Sequence, residues 1–224
     1  MDLIEAVKMR KSIRGFKPDP VSREIITEVL SIANQAPSGS NTQPWEFAVV
    51  TGDVLEKIKQ GNIEMFRSGA PSRQERKVTE KPADTVYQRR RAELTKQLFA
   101  LMDIQREDAA KRKAWREKGI RFFDAPAAII VLNDRLLPEP GPLLDMGIVI
   151  QTICLTAMTY GLGTCIEGQG TMYPDVIRKY ANIPDSKRIV IAIAVGYPDP
   201  DDPANRIESS REPINNITTW HGFE

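Results

Sequence analysis

The stretch Pro37-Ser38-Gly39-Ser40-Asn41-Thr42-Gln43-Pro44-Trp45 lies where an amphipathic segment gives way to an apolar run. Before it, residues 23–36 carry apolar side chains at helical spacing after the N-cap candidate Ser22; after it, residues 47–50 are apolar throughout, as in a buried strand. The hydroxyls and amides of the stretch can donate and accept hydrogen bonds, which suits the edge of a planar heteroaromatic ligand. The sequence therefore predicts a helix-to-strand connection that is either a binding loop or a plain turn.

The rest of the chain repeats these patterns and predicts one α/β domain with four core strands separated by helices. Further strands are expected at 127–132, from Gly163 and at 188–197, and further helices at 143–160 and 173–181. The stretch 143–160 is almost free of charge, which is typical of a helix buried in a core or an interface. No internal repeat and no linker between two cores divides residues 1–224, so we expect a single domain.

Two regions depart from this pattern. Residues 62–118 are polar and heavily charged, with only a narrow stripe formed by Leu94, Leu98 and Leu101, and we expect one or two surface helices that form a lid or a dimer-facing arm. Residues 198–224 lack periodicity but contain apolar side chains that need burial. This tail either wraps over a partner subunit or is disordered.

Composition narrows the function classes. Lys and Arg number 31 against 30 Asp and Glu, a net charge of +1, so no global field recruits nucleic acid or an acidic membrane. No apolar segment reaches the length of a membrane span and the first residues lack a signal-peptide pattern, so we expect no membrane partner and a cytoplasmic location. The single histidine, His221, argues against a Ser-His-Asp triad and a histidine-rich metal site. Chemistry in this chain is expected to need a borrowed cofactor rather than a metal.

Two short motifs carry further polar chemistry. Arg10-Lys11-Ser12-Ile13-Arg14 gathers three cations and a hydroxyl, which fits a phosphate group, although a solvated basic helix end has the same composition. Ile166-Glu167-Gly168 follows a predicted strand. Glu167 is a candidate acid, the backbone N–H groups exposed by Gly168 are an equally good functional element, and a tight turn is the third possibility.

These motifs, together with Asp145 to Gly163 and Ser210-Arg211-Glu212-Pro213, resemble the FMN-dependent nitroreductase family in order and spacing over nearly the whole chain. The resemblance implies an α+β fold, a three-layer α-β-α sandwich with a mixed central sheet and helices on both faces. It also implies a homodimer with FMN at the subunit interface and with the C-terminal tail exchanged between subunits. Residues 62–118 are the least family-like part.

The resemblance implies cofactor-binding roles for individual residues. Those that resemble the holders of the FMN phosphate and ribityl chain are Arg10, Lys11, Ser12 and Arg14, with Arg211 closing on the phosphate from the tail. Those that resemble the loop along the isoalloxazine from the other subunit are Pro37, Ser38, Gly39, Ser40, Asn41 and Gln43. Ile166, Glu167 and Gly168 resemble the turn whose backbone N–H faces the reactive flavin nitrogen, so no catalytic side chain is expected. Ser209 departs from relatives that carry a second basic residue there.

Three functions follow as alternatives. The leading hypothesis is an enzyme that uses FMN and NAD(P)H to reduce a small aromatic electron acceptor, a nitroaromatic or a quinone, in a ping-pong cycle. The second keeps the flavin and removes halide from halophenols, as in the related iodotyrosine deiodinases. The third is a binding protein without turnover that uses the basic helices expected at 89–118. Interleaved acids such as Glu93 and Glu107 favour a solvated charged face over that third function.

Overall fold

The computed structural model of the protein describes residues 2–76 and 85–223, so residues 77–84 of the expected lid lie outside the described residues. The helices are α1 (Leu3–Met9), α2 (Arg23–Ala33), α3 (Gly52–Arg67), α4 (Val86–Leu101), α5 (Ala109–Ile120), α6 (Leu143–Thr159) and α7 (Pro174–Ala181). The strands are β1 (Glu46–Thr51), β2 (Ala127–Asp134), β3 (Gly163–Glu167) and β4 (Lys187–Gly196).

The four strands form one sheet in the order β1-β2-β4-β3. Thr51 at the end of β1 faces Ala127 at the start of β2, and Ala127 in turn faces Val195 near the end of β4. Each of the three strand pairings is antiparallel. In the described part of the chain, the parallel component expected for a mixed sheet is confined to one isolated bridge, between Ser12 and Thr164. The end of β1 lies beside the start of β2, so the helices between them return the chain to the same end of the sheet.

The sheet carries a hydrophobic layer on each face. Alternation along β2 sends Ala127, Ile129 and Val131 into a core shared with α2 and α6. Ala128, Ile130 and Leu132 point into a second core shared with α3, α7 and the turn at Phe122. Because β2 and β4 are covered on both sides, they are apolar almost throughout, and the expected α+β three-layer sandwich is confirmed.

Most element boundaries agree with the sequence. Ser22 caps α2 as expected, accepting a hydrogen bond from the N–H of Ile25 at 3.3 Å. However, α2 ends at Ala33 rather than at residue 36. The predicted lid begins at residue 62, which lies inside α3, because α3 continues to Arg67 with Asn62 and Ile63 buried.

The helices of the predicted lid beyond α3 are α4 and α5, and Trp115 of α5 packs against the second core. α4 buries Leu98 against Ala204 and Ile207 of the tail. Its exposed Arg90 pairs with Glu212 at 2.6 Å, and on α5 Lys111 pairs with Asp103 at 2.9 Å. Such exposed pairs are typical of a solvated charged face, as the interleaved acids indicated. Among the helices of the described residues, none is long and apolar enough to cross a membrane.

Candidate functional site

The basic motif forms an extended segment, residues 10–14, beside the edge strand β3. Ser12 bridges to Thr164, and the N–H of Ile13 donates to the Thr164 carbonyl at 2.9 Å. This register buries Ile13 against Gly163, where a Cβ would come within 2.5 Å of the Ile13 side chain. Arg10, Lys11 and Arg14 remain half-buried at the edge of the sheet. The sequence motif is thus an ordered strand edge rather than a frayed helix end.

The start of the tail holds this segment in place through Asn205. Its Oδ1 accepts from the N–H groups of Arg14 at 2.7 Å and Gly15 at 3.2 Å. Its Nδ2 donates to the carbonyls of Gly15 and Asp199, both at 2.8 Å. Asn205 is buried, and these four bonds use the donors and acceptors of its amide. Sequence reasoning missed this residue because it stands in a stretch rich in Pro and Asp that predicts only turns.

Cations from both ends of the chain line one cavity of about 680 Å³. Arg10 and Lys11 come from the segment, Arg211 and Ser209 come from the tail, and Glu208 is the one acid in the lining. The Arg211 guanidinium donates to the Ser209 hydroxyl at 2.8 Å and to the Ser209 and Ser210 carbonyls at 3.0 Å. With Lys8, the lining holds four cations and one acid, and such a cavity attracts an anion.

Arg14 and Ser12 are not among the lining residues of this cavity. The Arg14 guanidinium lies 5.9 Å from the centre of the Phe123 ring and donates to the Ser12 carbonyl at 3.3 Å. The structure therefore brings together three of the five residues predicted to surround a phosphate. The other two, Ser12 and Arg14, lie in the same segment but do not line the cavity.

Loop 37–45 is tight, exposed at its tip and closed by its own hydrogen bonds. Ser40, Asn41 and Gln43 have φ of 51°, 57° and 45°, in the left-handed region that ordinary residues enter only at some cost. The Ser38 hydroxyl accepts from the N–H of Gln43 at 2.9 Å, and the Gln43 side chain donates to the Asn41 carbonyl at 3.1 Å. The N–H of Gly39 donates to Asp145 Oδ1 at 3.2 Å, which ties the loop to the first turn of α6.

The loop and the basic segment lie at opposite ends of α6. The loop contacts Asp145 near its beginning, and segment 10–14 pairs with Thr164 just beyond its end. α6 has 17 residues and is therefore about 25 Å long. The cavity at Arg10 includes no residue of loop 37–45. One chain therefore does not bring its two predicted groups of site residues together.

The turn 167–171 follows β3 and is held from several sides. The Gly168 carbonyl accepts from the Thr171 hydroxyl at 3.0 Å and from the Gln74 amide. Ile166 is 40% exposed, beside a mostly apolar cavity of about 390 Å³. The α6 side of that cavity includes Gly147, Ile150 and Gln151, and Arg76 supplies its one cation.

Glu167 points the other way, into the protein. It is 6% exposed, and its Oε2 accepts from the N–H of Gly170 at 2.8 Å. Burial raises the pKa of Glu167 to about 8, opposed by hydrogen bonds from the backbone of Gly170 and Gln169. The geometry favours the turn over the side chain as the functional element, because the carboxyl is shielded from any ligand outside.

Two residues near this turn were missed from the sequence, Gln74 and Asn62. Gln74 lies in the polar stretch after α3, and nothing in its neighbours signals a contact with Gly168. Asn62 is fully buried and donates to the Gly170 carbonyl at 2.8 Å. An amide on the core face of an otherwise amphipathic helix was the one signal available for it.

Similar proteins share both the sequence and the fold. Residues 7–197 match the model of the Nitroreductase family. The chain is 34% identical over 219 residues to the nitrobenzene nitroreductase of Ectopseudomonas oleovorans, a match that covers 96% of this chain and 95% of the relative. It is 29% identical over 203 residues to the iodotyrosine deiodinase of Thermotoga neapolitana, covering 90% of this chain and 91% of that protein.

One solved structure is similar over its full length. The crystal structure of the FMN and NADPH-dependent nitroreductase NfnB from Sphigopyxis sp. strain HMH superimposes with a TM-score of 0.92. The two sequences are 29% identical, and the match covers 100% of both chains.

Proposed function

The chain belongs to the nitroreductase family, and we propose that it is a flavoenzyme that uses FMN to transfer electrons from NAD(P)H to a nitroaromatic or quinone-type acceptor. The observation that carries this proposal is the cavity where Arg10 and Lys11 meet Arg211. Sequence positions about 200 residues apart converge there on one anion site, as a phosphate-bearing cofactor requires.

The residues present fit FMN. Arg10, Lys11 and Arg211 offer charge-assisted hydrogen bonds to a doubly charged phosphate, each worth about 1.5 to 3 kcal/mol. The exposed amides of Asn41 and Gln43 match the carbonyl and nitrogen edge of a flavin ring. When bound, FMN supplies the acceptance of hydride from NAD(P)H and the release of electrons to the acceptor, in two half-reactions that share one site in turn.

The role of the chain is to bind, orient and exclude water. The position of turn 167–171 is set by Gln74, Thr171 and Glu167. Ile166 and Ile150 line the apolar cavity beside the turn and keep that space dry. No side chain is assigned as acid or base.

The proposed enzyme is a homodimer that exchanges its tails. Its exposed apolar side chains support this: Leu3 and Ile4 on α1 are 71% and 67% exposed, and Leu144 on α6 is 75% exposed. In the tail, Trp220 and Phe223 are 59% and 76% exposed and pack edge to face against each other at 5.3 Å. A second copy that covers α6 would bring its own loop 37–45 to the turn and segment of the first. The cytoplasmic location expected from the sequence stays a prediction.

The visible absorbance spectrum of the purified protein, followed by anaerobic addition of NADH and then NADPH, tests the proposal. We expect oxidised-flavin bands that bleach with at least one donor and return when a nitroaromatic or a quinone is added. The faster donor identifies the physiological one. A colourless protein that also fails to take up added FMN would remove the proposal.

Reductive dehalogenation is the second candidate, favoured by the 29% identity to the Thermotoga neapolitana iodotyrosine deiodinase. Halide release from a halotyrosine by the reduced protein would support it. Nitroaromatic reduction alone would not separate the two functions, because many reduced flavins reduce nitro groups adventitiously.

A further inference from the structure

A buried polar cluster lies directly beneath turn 167–171, and both of its side chains bind the same residue, Gly170. Glu167 Oε2 accepts from the N–H of Gly170 at 2.8 Å. From the opposite side, Asn62 Nδ2 donates to the carbonyl of Gly170 at 2.8 Å. The turn is therefore held at one residue by a side chain from β3 and a side chain from α3.

Each of these side chains also has one oxygen without a partner. In the described part of the chain, Glu167 Oε1 and Asn62 Oδ1 are both buried and make no hydrogen bond. Each buried acceptor without a donor costs about 1 to 3 kcal/mol. A proton on the Glu167 carboxyl removes a buried negative charge that has no partner at Oε1.

Charges on the neighbouring elements do not neutralise Glu167. On α5 and its end, Glu117 pairs with Arg67 at 2.7 Å, Lys118 with Asp202 at 2.6 Å, and Arg121 with Asp124 at 2.7 Å.

The remaining groups near the cluster are on β3, in the basic segment and on α3. Next to Glu167 in β3, burial raises the pKa of the Cys165 thiol to about 12, so it stays neutral. Arg14 stacks on Phe123, and on α3 Lys59 pairs with Glu56 at 2.6 Å. An ionised Glu167 would thus be a buried charge stabilised by backbone N–H groups alone.

We propose that Glu167 carries a proton in the resting protein and that Glu167 and Asn62 together position turn 167–171 through their hydrogen bonds to Gly170. Where the inference concerns flavin chemistry, it rests on the proposed function. The pair acts on the cofactor only through the backbone of the turn.

The surroundings of the pair leave little room for relaxation. A Cβ at Gly170 would lie 2.5 Å from Glu167 Oε1, and a Cβ at Gly119 would lie 2.1 Å from the Gln169 side chain. Beside them, Phe122, Phe123 and Asp124 have φ of 58°, 52° and 59° in a left-handed turn. Because the packing is tight, ionisation of Glu167 is expected to displace the turn rather than be absorbed by it.

The direct test is folding stability as a function of pH for wild type and Glu167→Gln. The folded protein holds a proton that the unfolded chain releases near pH 4.5, the ordinary pKa of this group, and the folded-state pKa is about 8. The folded state thus binds more protons, and stability falls as pH rises across this window. We expect the unfolding equilibrium constant of wild type, relative to Glu167→Gln, to rise by up to about tenfold per pH unit between these values.

Glu117→Gln is the matched control, since Glu117 is also a buried glutamate but is paired with Arg67, which lowers its pKa. A lowered pKa means that ionised Glu117 stabilises the folded protein at neutral pH and that this stabilisation is lost as the pH falls into the acid range. Glu117→Gln should therefore change the pH dependence of stability in the acid range, with the opposite sign to Glu167→Gln. Equal pH slopes for wild type and Glu167→Gln would overturn the proposal.

Infrared spectroscopy supplies a second readout that does not require a folded variant. We expect wild type at neutral pH to show the C=O band of a protonated carboxylic acid, lost as the pH passes about 8. Absence of that band would also overturn the proposal. Neither readout involves the cofactor or turnover, so a failure here is distinguishable from a failure of the proposed function. In the flavin-loaded wild type, we expect kcat to decline as the pH rises above about 8. Glu167→Gln should abolish this decline while the KM for the donor stays constant.

Discussion

Segment 10–14 and loop 37–45 carry similar hydrogen-bonding side chains, but the chain supports them in different ways. The segment is fixed by contacts distant in sequence, to Thr164 on β3 and to Asn205 in the tail, and the cavity beside it is completed by Arg211. The loop is fixed mainly by its own backbone turns, with one distant hydrogen bond, from Gly39 to Asp145. The segment borders a cavity that the chain completes by itself, whereas the tip of the loop is exposed and its conformation is set by local hydrogen bonds.

In the proposed enzyme, the segment and the loop would be two unlike halves of one site, and one chain separates them by the length of α6. A ligand held by both would need the segment of one chain and the loop of another. Variants of the segment, of the loop and of both distinguish these roles.

Asn205→Ala should have the largest effect because it removes three hydrogen bonds from the tail to Arg14 and Gly15 and a fourth to Asp199. Buried groups of Arg14 and Gly15 would lose their partners, and we expect a loss of about 3 kcal/mol in the free energy of unfolding. Urea denaturation measures it. Asn216→Ala, in the exposed tail with one bond to Glu212, is the control and should change stability by less than about 0.5 kcal/mol. An Asn205 variant as stable as wild type would contradict a segment held by the tail.

Arg10→Ala and Arg211→Ala should each weaken FMN binding by about tenfold to a hundredfold, since each removes one charge-assisted bond to the phosphate. Combined in one protein, they should leave it without flavin after dialysis. Fluorescence titration with FMN gives the dissociation constants. Arg23→Ala, an exposed cation on α2, controls for net charge. Full flavin retention in the double variant would refute the phosphate assignment.

Loop variants test the other half. Ser38→Ala combined with Asn41→Ala should lower activity by about tenfold, because two neutral hydrogen bonds are lost. The thermal midpoint should change little, since Ser38 and Asn41 lie outside both cores and Ser38→Ala removes one exposed hydrogen bond, from the N–H of Gln43.

Mixing the two defective proteins tests whether the halves belong to different chains. A heterodimer of the Arg10/Arg211 variant and the Ser38/Asn41 variant contains one intact site and one site with both defects. After random exchange of subunits, about a quarter of wild-type activity should return. If mixing restores nothing although heterodimers form, both halves act within one chain and the comparison fails.

Asp145→Asn should have the smallest effect. It weakens the bond to the N–H of Gly39 and removes a favourable acid from the first turn of α6, together worth less than about 1 kcal/mol. Asp175→Asn is the matched control, an acid in the first turn of α7. A change in acceptor KM for Asp145→Asn but not for Asp175→Asn would show that the Gly39 contact positions the loop.

Local patterns located most of the fold. The helix predicted at 143–160 is α6, and the strand predicted at 188–197 is β4 within one residue at each end. Both are long segments in which a single periodicity dominates. The predicted start of the lid at residue 62 lies inside α3, which continues through Asn62 and Ile63; both are buried, and Asn62 donates to the Gly170 carbonyl of turn 167–171. The left-handed turn at Phe122 to Asp124 has no local signature either, since three non-glycine residues adopt positive φ only because the surrounding core holds them there.

For the candidate site, too, the residue types were evident in the sequence but their arrangement was not. The residue types that could contact a phosphate or a flavin edge were evident in the sequence, because hydrogen-bonding capacity and charge belong to individual side chains. That Arg10 and Arg211 meet in one cavity, while Arg14 turns to Phe123, was decided only by the tertiary structure.

Local periodicity and side-chain chemistry located most of the helices and strands and identified the polar groups available for binding, and the order of the motifs indicated the family. The tertiary structure added that Asn205 binds Arg14 and Gly15, that Glu167 is buried beneath its turn, and that α6 lies between the segment and the loop. The physical reason is that burial and long-range hydrogen bonds depend on which surfaces meet when the sheet closes, and no short stretch of sequence carries that information.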